Sequence, residues 1–550
     1  MPTPLRFIPL GGLGEIGRNM NVLEYGRNLL IIDAGVMFPE NDMLGIDLVI
    51  PNFEYLRDKK DWVRGIVITH GHEDHTGALP YLLEEIQAPI YSTRLVVAML
   101  DRKLKEHFGR RLKPDLREVT PGDLLRLGPF TVHTILLSHS IPDSMALVID
   151  TPTGRVVHSG DFKIDYTPGA GGQPHLARLG ALAAEGVLAL FSDSTGAEKP
   201  GFTPSERTIE PAFDKIMREA PGRVIVATFA SQLNRFQQII DIAQRHNRKV
   251  ALAGRSLEQN FDIARRLGYL KVPKGMLVKL DTTGKLPPKQ VLLLITGSQG
   301  QPEAALARMA TGRHRELMLN PTDTVVISAS PIPGNEEEVG RMINQLVERG
   351  AEVLYPPIAN VHVSGHASQE EMKLLLTLVQ PKFFIPVHGE ARHLHLHARL
   401  AESLGLPRDR IFRLQDGDVL ELGPDGCRVV ERAPGGYVFV DGSGVGDIGP
   451  AVLRERDALA RDGIVGVVIT VRRDSREFAA EPQIFTSGVV YKEQAEATMQ
   501  GAQEALTRSL AQSKRSKAAL TNTARDTLSR YFYQTTRRNP VVLPVVVEVG

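Results

Sequence analysis

Short apolar runs that end in polar turns dominate roughly the first 200 residues of the chain. Each run is long enough for a strand and too short for a buried helix, so the pattern predicts strands, with a helix over Gly77–Ile86 among them. The predicted strands are Leu29–Asp33, Gly65–Thr69, Thr131–Ser138, Ala146–Ile149, Val156–Ser159 and Val187–Phe191. Many strands with few helices indicate layered sheets with helices on the outside.

The pattern changes after about residue 205, where buried-type strands alternate with helices such as Phe236–Arg245 and Ser256–Leu267. This alternation predicts a parallel α/β domain. Its strands are Arg223–Thr228, Lys249–Leu252, Val291–Ile295 and Thr324–Ser328. The pattern of the first 200 residues returns after residue 365, with a strand over Phe383–Val387 and a helix through Leu404. The α/β domain is therefore interpreted as an insertion into the first domain.

Each predicted strand of the inserted domain runs directly into a small polar loop. The four loops are Phe229–Gln232, Ala253–Ser256, Thr296–Gly300 and Ser328–Pro331. Because ligands bind at the carboxyl ends of parallel strands, the loops form a candidate substrate-binding wall. The alternative is that Gly and Ser simply suit tight turns, which is the better explanation for any one loop. Four such loops together favour the wall.

The last part of the chain predicts a polar connector and a small α+β domain. Residues 424–460 are rich in Gly and polar residues, and residues 461–550 follow as strands Gly466–Val471 and Gln483–Val490, two helical stretches and a strand Val545–Val549. The helical part carries a run of basic side chains: Arg508, Lys514, Arg515, Lys517, Arg525, Arg530, Arg537 and Arg538. A solvated helix face is the usual meaning of such a run, and an RNA or partner contact is the alternative.

Composition restricts the class of protein without naming a function. The chain has 550 residues, 42% of them hydrophobic and 23% charged, which fits a globular protein of two to four domains. A net charge of +1 means that any nucleic-acid affinity must come from local basic patches. Cys427 is the sole cysteine, so intrachain disulfides and multi-thiolate metal sites are excluded. We expect a cytoplasmic protein with no leader and no membrane span.

The segment Thr69–His75 carries the strongest chemical signal in the sequence. It follows the apolar strand and contains four ligand-type side chains in six residues: His70, His72, Asp74 and His75. In an extended segment, residues two apart point the same way, so the first two histidines can reach one metal. Burying four such groups without a metal would leave polar atoms without partners. The cluster therefore predicts a metal site.

Further ligand-type residues stand at the ends of other predicted strands. Leu136–His139 ends in a histidine, His158–Asp161 in an aspartate, and Phe384–His388 in another histidine. Each one alone is as compatible with a structural role as with metal binding. Together with the first segment they predict more than one metal.

The pattern His70-x-His72-x-Asp74-His75, with these strand-end residues, resembles the metallo-β-lactamase superfamily. The inserted α/β domain and Ser364–Ser368 resemble its nucleic-acid-processing β-CASP branch. Within that branch the chain is similar to the bacterial ribonuclease J family over nearly its full length. Further matching segments are Gly11–Gly17, Asp33–Pro39 and Thr296–Gly300.

The resemblance implies an α/β fold in several parts. An αββα metallo-β-lactamase sandwich is expected from 1–205 and 365–423, with a parallel α/β β-CASP domain inserted over 206–364. A connector over 424–460 and a small α+β C-terminal domain over 461–550 complete the chain.

The resemblance also assigns the ligands of two divalent metal ions. One ion would be held by three histidines, the second by an aspartate and two histidines, and a further aspartate would bridge them: His70, His72 and His139; Asp74, His75 and His388; and Asp161. Asp33 would orient a ligand histidine from behind. Imidazole nitrogen and carboxylate oxygen suit zinc, which we expect first, and also manganese.

By the same resemblance, a water activated by the metals attacks a phosphodiester, with Asp74, His366 and Asp193 as the catalytic residues. His366 would protonate the leaving oxygen with support from Asp193, or would only bind phosphate. The expected substrate contacts lie in one loop and three strand ends: His362, Val363, Ser364, Gly365 and His366, with Ser231, Ser298, Gln299 and Ser330.

Gly11–Gly17 contains the spacing Gly-x-Gly-x-x-Gly and so raises a dinucleotide-binding alternative. The next strand, Arg27–Ile32, comes too soon for a crossover helix, so we interpret the segment as a tight turn near the metals.

The resemblance implies a 5′-to-3′ exonuclease that prefers 5′-monophosphorylated single-stranded RNA, with internal cleavage as a second activity, in RNA processing and decay. It also implies a homodimer or dimer of dimers with contacts from the C-terminal domain. The alternatives are a small-molecule hydrolase, a DNA nuclease of the same branch and a non-catalytic RNA-binding scaffold. The extra domains argue against the first, and the complete ligand set argues against the last.

Overall fold

The computed structural model describes residues 3–169, 172–475, 477–489, 495–514 and 516–550. Val490 and Arg515, which the sequence analysis placed in a strand and in the basic run, lie outside these ranges. The described chain divides into two units: one covers 1–38 and 49–438, and the other covers 39–48 and 439–550.

Two sheets face each other in the first unit, and each is built from the short buried runs of the sequence. The larger sheet has eight strands, in the spatial order Gly426–Arg432, Asp418–Gly423, Leu5–Gly11, Met20–Tyr25, Leu29–Ile32, Val63–Val67, Ile90–Thr93 and Leu116–Val119. The smaller has six, in the order Phe383–Val387, Ala189–Asp193, Gly154–His158, Met145–Thr151, Phe130–Leu136 and Leu124–Leu127.

Apolar side chains from the inner faces of both sheets form one core. Phe7 of the larger sheet stacks on Phe191 of the smaller, with ring centroids 3.9 Å apart. Three helices cover the outer face of the smaller sheet, at Leu176–Ala183, Gln369–Val379 and Ala391–Ser403. The helix Arg94–Phe108 packs against the last two strands of the larger sheet. This arrangement is the predicted αββα sandwich.

The inserted domain is a five-stranded parallel sheet with a hydrophobic cluster on each face. Its strands run in the order Lys249–Ala253, Val291–Ile295, Val224–Ala227, Thr324–Ile327 and Glu352–Leu354. Its helices are Glu210–Glu219, Leu233–Arg245, Arg255–Leu267, Ala305–Ala310 and Glu336–Glu348. Because all pairings are parallel, the polar loops that follow the strands share one edge of the sheet.

The second unit contains a three-stranded sheet covered on one face by two helices. Ile464–Arg472 lies in the centre, antiparallel to Gln483–Ser487 and parallel to Val541–Val549. The helices Ala495–Ala511 and Lys517–Thr536 pack on this sheet through one apolar cluster. On the opposite face, four apolar side chains are between 40% and 58% exposed: Phe485, Leu543, Val545 and Val547.

Two segments differ from their predicted form. Residues 424–460 contain strands Gly426–Arg432, Tyr437–Asp441 and Gly444–Val445 and a helix Pro450–Asp462, although their composition predicted a connector. The first of these is a largely exposed edge strand, so it lacks the apolar alternation by which strands are recognised. The helix predicted over Gly77–Ile86 is shorter, Leu79–Glu85, and a separate short helix, Glu73–Thr76, precedes it.

Candidate metal centre and catalytic site

Three histidines and an aspartate meet at the end of the strand Val63–Val67 and its neighbours. His72 Nδ1 lies 3.1 Å from His70 Nε2 and 3.2 Å from His139 Nε2. Asp161 Oδ2 lies 3.6 Å from His70 Nε2 and 3.8 Å from His139 Nε2. The four ligand-type atoms lie within 4.8 Å of one another.

A second group shares the same aspartate. Asp161 Oδ2 is 3.2 Å from His75 Nε2 and 3.4 Å from His388 Nε2, and Asp74 Oδ2 is 3.4 Å from His75 Nε2. His388 directly follows the strand Phe383–Val387, which comes after the inserted domain in the sequence. All seven side chains expected as ligands thus converge, and Asp161 stands between the two groups.

Hydrogen bonds from behind fix the orientation of the histidine rings. The Nδ1–H groups of three rings donate to oxygen atoms 2.7–2.8 Å away, which leaves each Nε2 lone pair directed into the cluster: His75 to Asp33, His139 to the Gly365 carbonyl, and His388 to Asn19. Asp33 is itself held by the backbone N–H and the hydroxyl of Thr69. His72 is turned the other way, with Nε2 3.2 Å from the Ser140 hydroxyl.

The backbone at this site adopts conformations that ordinary residues avoid. Asp33 and His388 have φ values of 62° and 50°, in the left-handed region, which costs on the order of 1–3 kcal/mol for a residue with a side chain. A Cβ atom at Gly365 would lie 2.7 Å from the ring of His139. The site therefore depends on backbone placement as well as on ligand identity.

Burial and charge set the protonation states of the cluster. Burial lowers the pKa of His70 and His139 well below the usual value, and lowers that of His72 to about 4. His75 differs, because Asp161, Asp74 and Asp33 overcome the effect of burial and raise its pKa. Burial alone would also raise the pKa of Asp161, but the surrounding imidazoles, His388 first, hold it well below its usual value.

Apart from the protonated form favoured at His75, which a bound metal would have to displace, these states suit a divalent cation. Neutral imidazoles and ionised carboxylates are the forms that bind metals. His388 Nε2 is buried and has no hydrogen-bond partner among the residues that the structure describes, although the ring faces a carboxylate. A buried nitrogen of this kind is costly unless something outside the chain binds it. The residues present therefore fit divalent metal binding.

His366, which is partly exposed, forms a pair with the buried Asp193 beside the two groups. His366 Nδ1 donates to Asp193 Oδ2 at 2.8 Å, and it is 4.0 Å from Asp161 Oδ2. Burial alone would lower the pKa of His366, but Asp193 outweighs burial and raises it to about 9. The pair can therefore hold a proton next to the candidate metals, as a general acid requires.

The loop from His362 to His366 is tied down by its carbonyl groups. The carbonyls of four consecutive residues accept hydrogen bonds, in chain order Val363 from Arg235, Ser364 from Lys163, Gly365 from His139 and His366 from Thr203. Within the described ranges, the backbone N–H groups of residues 362–365 donate to nothing. A run of free N–H groups suits an anion such as phosphate.

The strand-end loops of the inserted domain place their predicted residues in different surroundings. Ser231 is half-buried and Ser330 is exposed, whereas Ser298 is buried. Gln299 differs from the expected substrate contact: its amide donates to the Ser330 carbonyl at 3.0 Å and accepts from Ile332 N–H at 2.7 Å. Its polar atoms thus hold one loop to the next.

The glycine-rich segment 11–17 is a turn beside the metal cluster. Leu13–Gly14 pairs with Gly389–Glu390, immediately after His388, and Gly12, Gly14 and Gly17 all have positive φ. A strand, Met20–Tyr25, follows where dinucleotide binding would require a helix. The structure thus agrees with the turn that the sequence predicted.

Sequence reasoning missed several residues that support the site. Asn19 holds His388 and also donates to Asp74, and Ser140 contacts His72. Arg235 and Lys163 hold the loop behind His366. Ser140 follows a predicted ligand directly, which is a usable signal, whereas Asn19 and Arg235 have no local pattern that marks them.

None of the helices in the described ranges is both long enough and apolar enough to span a bilayer.

Four family models match the chain. They are described as the metallo-beta-lactamase superfamily over 13–197, the ribonuclease J beta-CASP domain over 221–346, the Zn-dependent metallo-hydrolase RNA specificity domain over 351–411, and the ribonuclease J C-terminal domain over 451–549. One solved structure, a protein of unknown function from Enterococcus faecalis, aligns with a TM-score of 0.55 at 15% identity. It covers 76% of this chain and all of its own, and supports the fold alone.

Curated relatives match over nearly the whole length. Ribonuclease J 1 of Streptococcus pyogenes is 41% identical over 99% of this chain and 98% of its own. Ribonuclease J2 of Bacillus subtilis is 40% identical, with 99% of both chains covered. Ribonuclease J of Thermus thermophilus is 43% identical over 99% of this chain and 95% of its own. The chain, with its metallo-β-lactamase sandwich, β-CASP insertion and His/Asp cluster, therefore belongs to the ribonuclease J family of metal-dependent ribonucleases.

Proposed function

We propose that this chain is an active dinuclear ribonuclease whose two metal sites share Asp161. His70, His72 and His139 would hold one ion, and Asp74, His75 and His388 the other. The observation that carries the proposal is the convergence of all seven side chains, with the Nε2 atom of His388 buried and unpaired within the described chain. An inactive scaffold would not need to keep every one of these groups.

Zinc is our assignment for both ions, with manganese as the alternative. The candidate donors are imidazole nitrogen and carboxylate oxygen, which suit either metal. Cys427, the only cysteine, is not among the clustered groups. When bound, two divalent cations supply hydroxide from water at neutral pH and absorb charge from the phosphate under attack.

His366 would deliver a proton to the departing 3′-oxygen, and Asp193 would keep that proton on the ring. The 2.8 Å hydrogen bond between them supports this division of roles. Two cations nearby would bring the pKa of His366 down from about 9 toward neutrality, where a general acid is most effective.

The substrate would be single-stranded RNA, held through its phosphates by residues 362–366. The free N–H groups of the loop support phosphate binding, as does the half-exposed His362 ring. We further propose that Ser231, Ser298 and Ser330 line a pocket for a 5′-terminal phosphate, with Gln299 shaping it. A closed pocket of one fixed size, one nucleotide from the metals, would make the enzyme a 5′-to-3′ exonuclease that excludes a triphosphate.

Internal cleavage would be the second activity, in RNA processing and decay in the cytoplasm. A homodimer or dimer of dimers is the proposed assembly. The match to ribonuclease J relatives along nearly the whole chain supports these roles.

The test compares one labelled RNA with a 5′-monophosphate, 5′-hydroxyl or 5′-triphosphate end, next to single-stranded DNA of the same sequence. We expect mononucleotides released from the 5′ end, fastest from the monophosphate form. Hydrolysis of DNA at the same rate would favour a DNA nuclease of the same branch. Binding of RNA without cleavage, at full metal content, would indicate a scaffold. Equal rates on monophosphate and triphosphate ends, or digestion from the 3′ end, would contradict the pocket.

A further inference from the structure

A fully buried charged cluster lies directly behind the loop His362–His366. Glu206 accepts from Arg235 at 2.9 Å and from Lys163 at 3.0 Å, and each of the three side chains is 4% exposed or less. Lys163 lies two residues after Asp161, whereas Glu206 and Arg235 belong to the start of the inserted domain. Such a cluster joins the metal-binding sandwich to the insertion at one point.

Arg235 directs most of its donors at the loop and the neighbouring strand end. Its Nη1 lies within hydrogen-bond distance of three acceptors: Gln232 Oε1 at 2.6 Å, His362 Nδ1 at 2.7 Å and the Ser328 carbonyl at 2.8 Å. Its Nη2 donates to the Val363 carbonyl at 3.2 Å as well as to Glu206. A planar guanidinium can satisfy several acceptors in fixed directions, which a lysine cannot do.

The contact with His362 fixes which ring nitrogen carries the proton. An arginine is always a donor, so Nδ1 of His362 must accept, and the single proton of the neutral ring must be on Nε2. Burial and then the charge of Arg235 lower the pKa of His362 to about 3, while Glu206 opposes them and Lys199 and Lys163 add to the lowering. Within the described ranges Nε2 makes no hydrogen bond, so it stays free for a ligand.

We infer that Arg235 is a positioning residue that turns residues 362–365 into an array of neutral donors for an RNA phosphate. The array consists of the His362 Nε2–H and the backbone N–H groups of the loop. This inference deepens the proposed function and rests on it. Orientation would come from the array, while the charge of the phosphate would be met by the metals and by His366.

In this array His362 is an uncharged donor. Its contact with a phosphate therefore differs from that of a lysine, which carries a positive charge. Neutralising a phosphate with a cation makes binding to a single strand depend on salt, with a slope of about 0.7 per contact. Loss of a neutral donor lowers affinity without changing that slope. Loss of one such hydrogen bond should cost about tenfold in affinity.

The first experiment uses His362→Ala and His362→Gln in the metal-loaded full chain, with 5′-monophosphorylated RNA. We expect His362→Ala to raise KM about tenfold with kcat changed by less than about threefold, and with an unchanged salt slope of Kd. His362→Gln should recover most of that loss, since its amide offers an acceptor toward Arg235 and a neutral donor toward RNA. A glutamine variant as poor as the alanine variant, or a slope reduced by about 0.7, would show that His362 acts as a cation and overturn the inference.

The second experiment is a double-mutant cycle with a matched control. Arg235→Lys should raise KM, and its effect should be less than additive with that of His362→Ala, because both variants weaken the same array. Arg248 is the control: it is buried in the same inserted domain and donates only to carbonyls far from the loop, Met217, Gly222, Ala220 and Val291. Arg248→Lys should leave KM unchanged and be additive with His362→Ala.

The outcomes separate the inference from the proposed function. Additive effects of Arg235→Lys and His362→Ala on KM overturn the inference while wild-type RNA cleavage stands. If Arg235→Lys does not fold, the glutamine and alanine variants of His362 still decide, because they leave the ion pair between Arg235 and Glu206 in place. A metal-loaded wild-type chain that neither binds nor cleaves RNA overturns the proposed function and the array together.

Discussion

Two buried charged clusters lie close together in this molecule, and they differ in how their charges are paired. In the cluster around Glu206, one carboxylate accepts from Lys163 and Arg235, and the cations reach further carbonyls, although Arg235 Nε has no hydrogen-bond partner among the described residues. In the cluster around Asp161, imidazoles crowd one carboxylate, and His388 Nε2 has no hydrogen bond within the described residues.

The difference separates a structural cluster from a binding site. Opposite charges and donors in balance need nothing from outside, so they hold parts of the fold in place. Several lone pairs directed at common points are unfavourable until a cation joins them. Burial and ionisable residues are common to both clusters, so the two are distinguished by what surrounds the carboxylate: a lysine and an arginine at Glu206, and imidazoles at Asp161.

The largest expected effect comes from breaking the unbalanced cluster. Asp74→Ala and His75→Ala should each lower RNA cleavage to a few per cent of wild type or less, since one cation of the pair loses its ligands. The fold should persist, because the other ligands remain. Initial rates, metal content and thermal unfolding are the measurements.

Asp101→Ala and His107→Ala, on the exposed side of the helix Arg94–Phe108, are the matched controls and should behave as wild type. Retention of more than a few per cent of activity by both site variants would contradict the dinuclear mechanism.

The next largest effect concerns His366, the proposed proton donor, which lies beside the Asp161 cluster. His366→Ala should slow the chemical step about 10²–10⁴-fold with metal content unchanged, the usual contribution of general acid catalysis. Single-turnover rates at saturating RNA measure this step, and His395→Ala, an exposed histidine, is the control. If the whole loss appears as weaker RNA binding, His366 is a phosphate ligand and the acid lies elsewhere.

Asp193→Asn sharpens the same assignment through pH. The Asp193 carboxylate raises the pKa of His366, so its removal should lower that pKa. The protonated form then disappears at a lower pH, and the alkaline decline of the single-turnover rate should move toward neutrality. If the single-turnover rate of the variant declines at the same alkaline pH as that of the wild type, Asp193 does not control the protonation of His366.

The smallest expected effect on catalysis lies in the C-terminal domain, which contributes no residue to either charged cluster. Removing residues 461–550 should leave the metals bound but reduce oligomer size or the processing of long RNA. Within that region, Val545→Asp on the exposed apolar face should reduce oligomer size, while Arg530→Glu on the basic helix should not. Light scattering and digestion of long RNA are the measurements. An unchanged oligomer and unchanged processing after truncation would refute an assembly role.

The sequence predicted the unbalanced cluster far better than the balanced one. His70, His72, Asp74 and His75 lie within one segment after a strand, so spacing alone indicates a metal site. His388 is separated from them by the inserted domain; its place at a strand end made it a candidate, and the family resemblance assigned it to the second metal. Asp33 was placed behind a histidine by the same resemblance, and the structure has it 2.8 Å from His75.

The balanced cluster could not be predicted, because its partners are remote and individually ordinary. Arg235 meets His362 across 127 positions and Glu206 across 29, and a lone arginine in a helix has no pattern that indicates burial. Gln299 shows a related limit: its place in a polar loop predicted substrate contact, and the sequence had no sign that its amide also bonds the next loop. Side-chain saturation of this kind depends on tertiary neighbours.

The position of His388 along the chain also affects how the enzyme matures. Six of the seven clustered groups precede the insertion, and the last follows it. At ribosomal rates, the residues between Asp161 and His388 take roughly 10–45 s to synthesise. A nascent chain in that interval has no complete metal centre. Until His388 has been synthesised, a growing polypeptide therefore lacks one of the proposed ligands and would be unable to degrade the messenger to which it is attached.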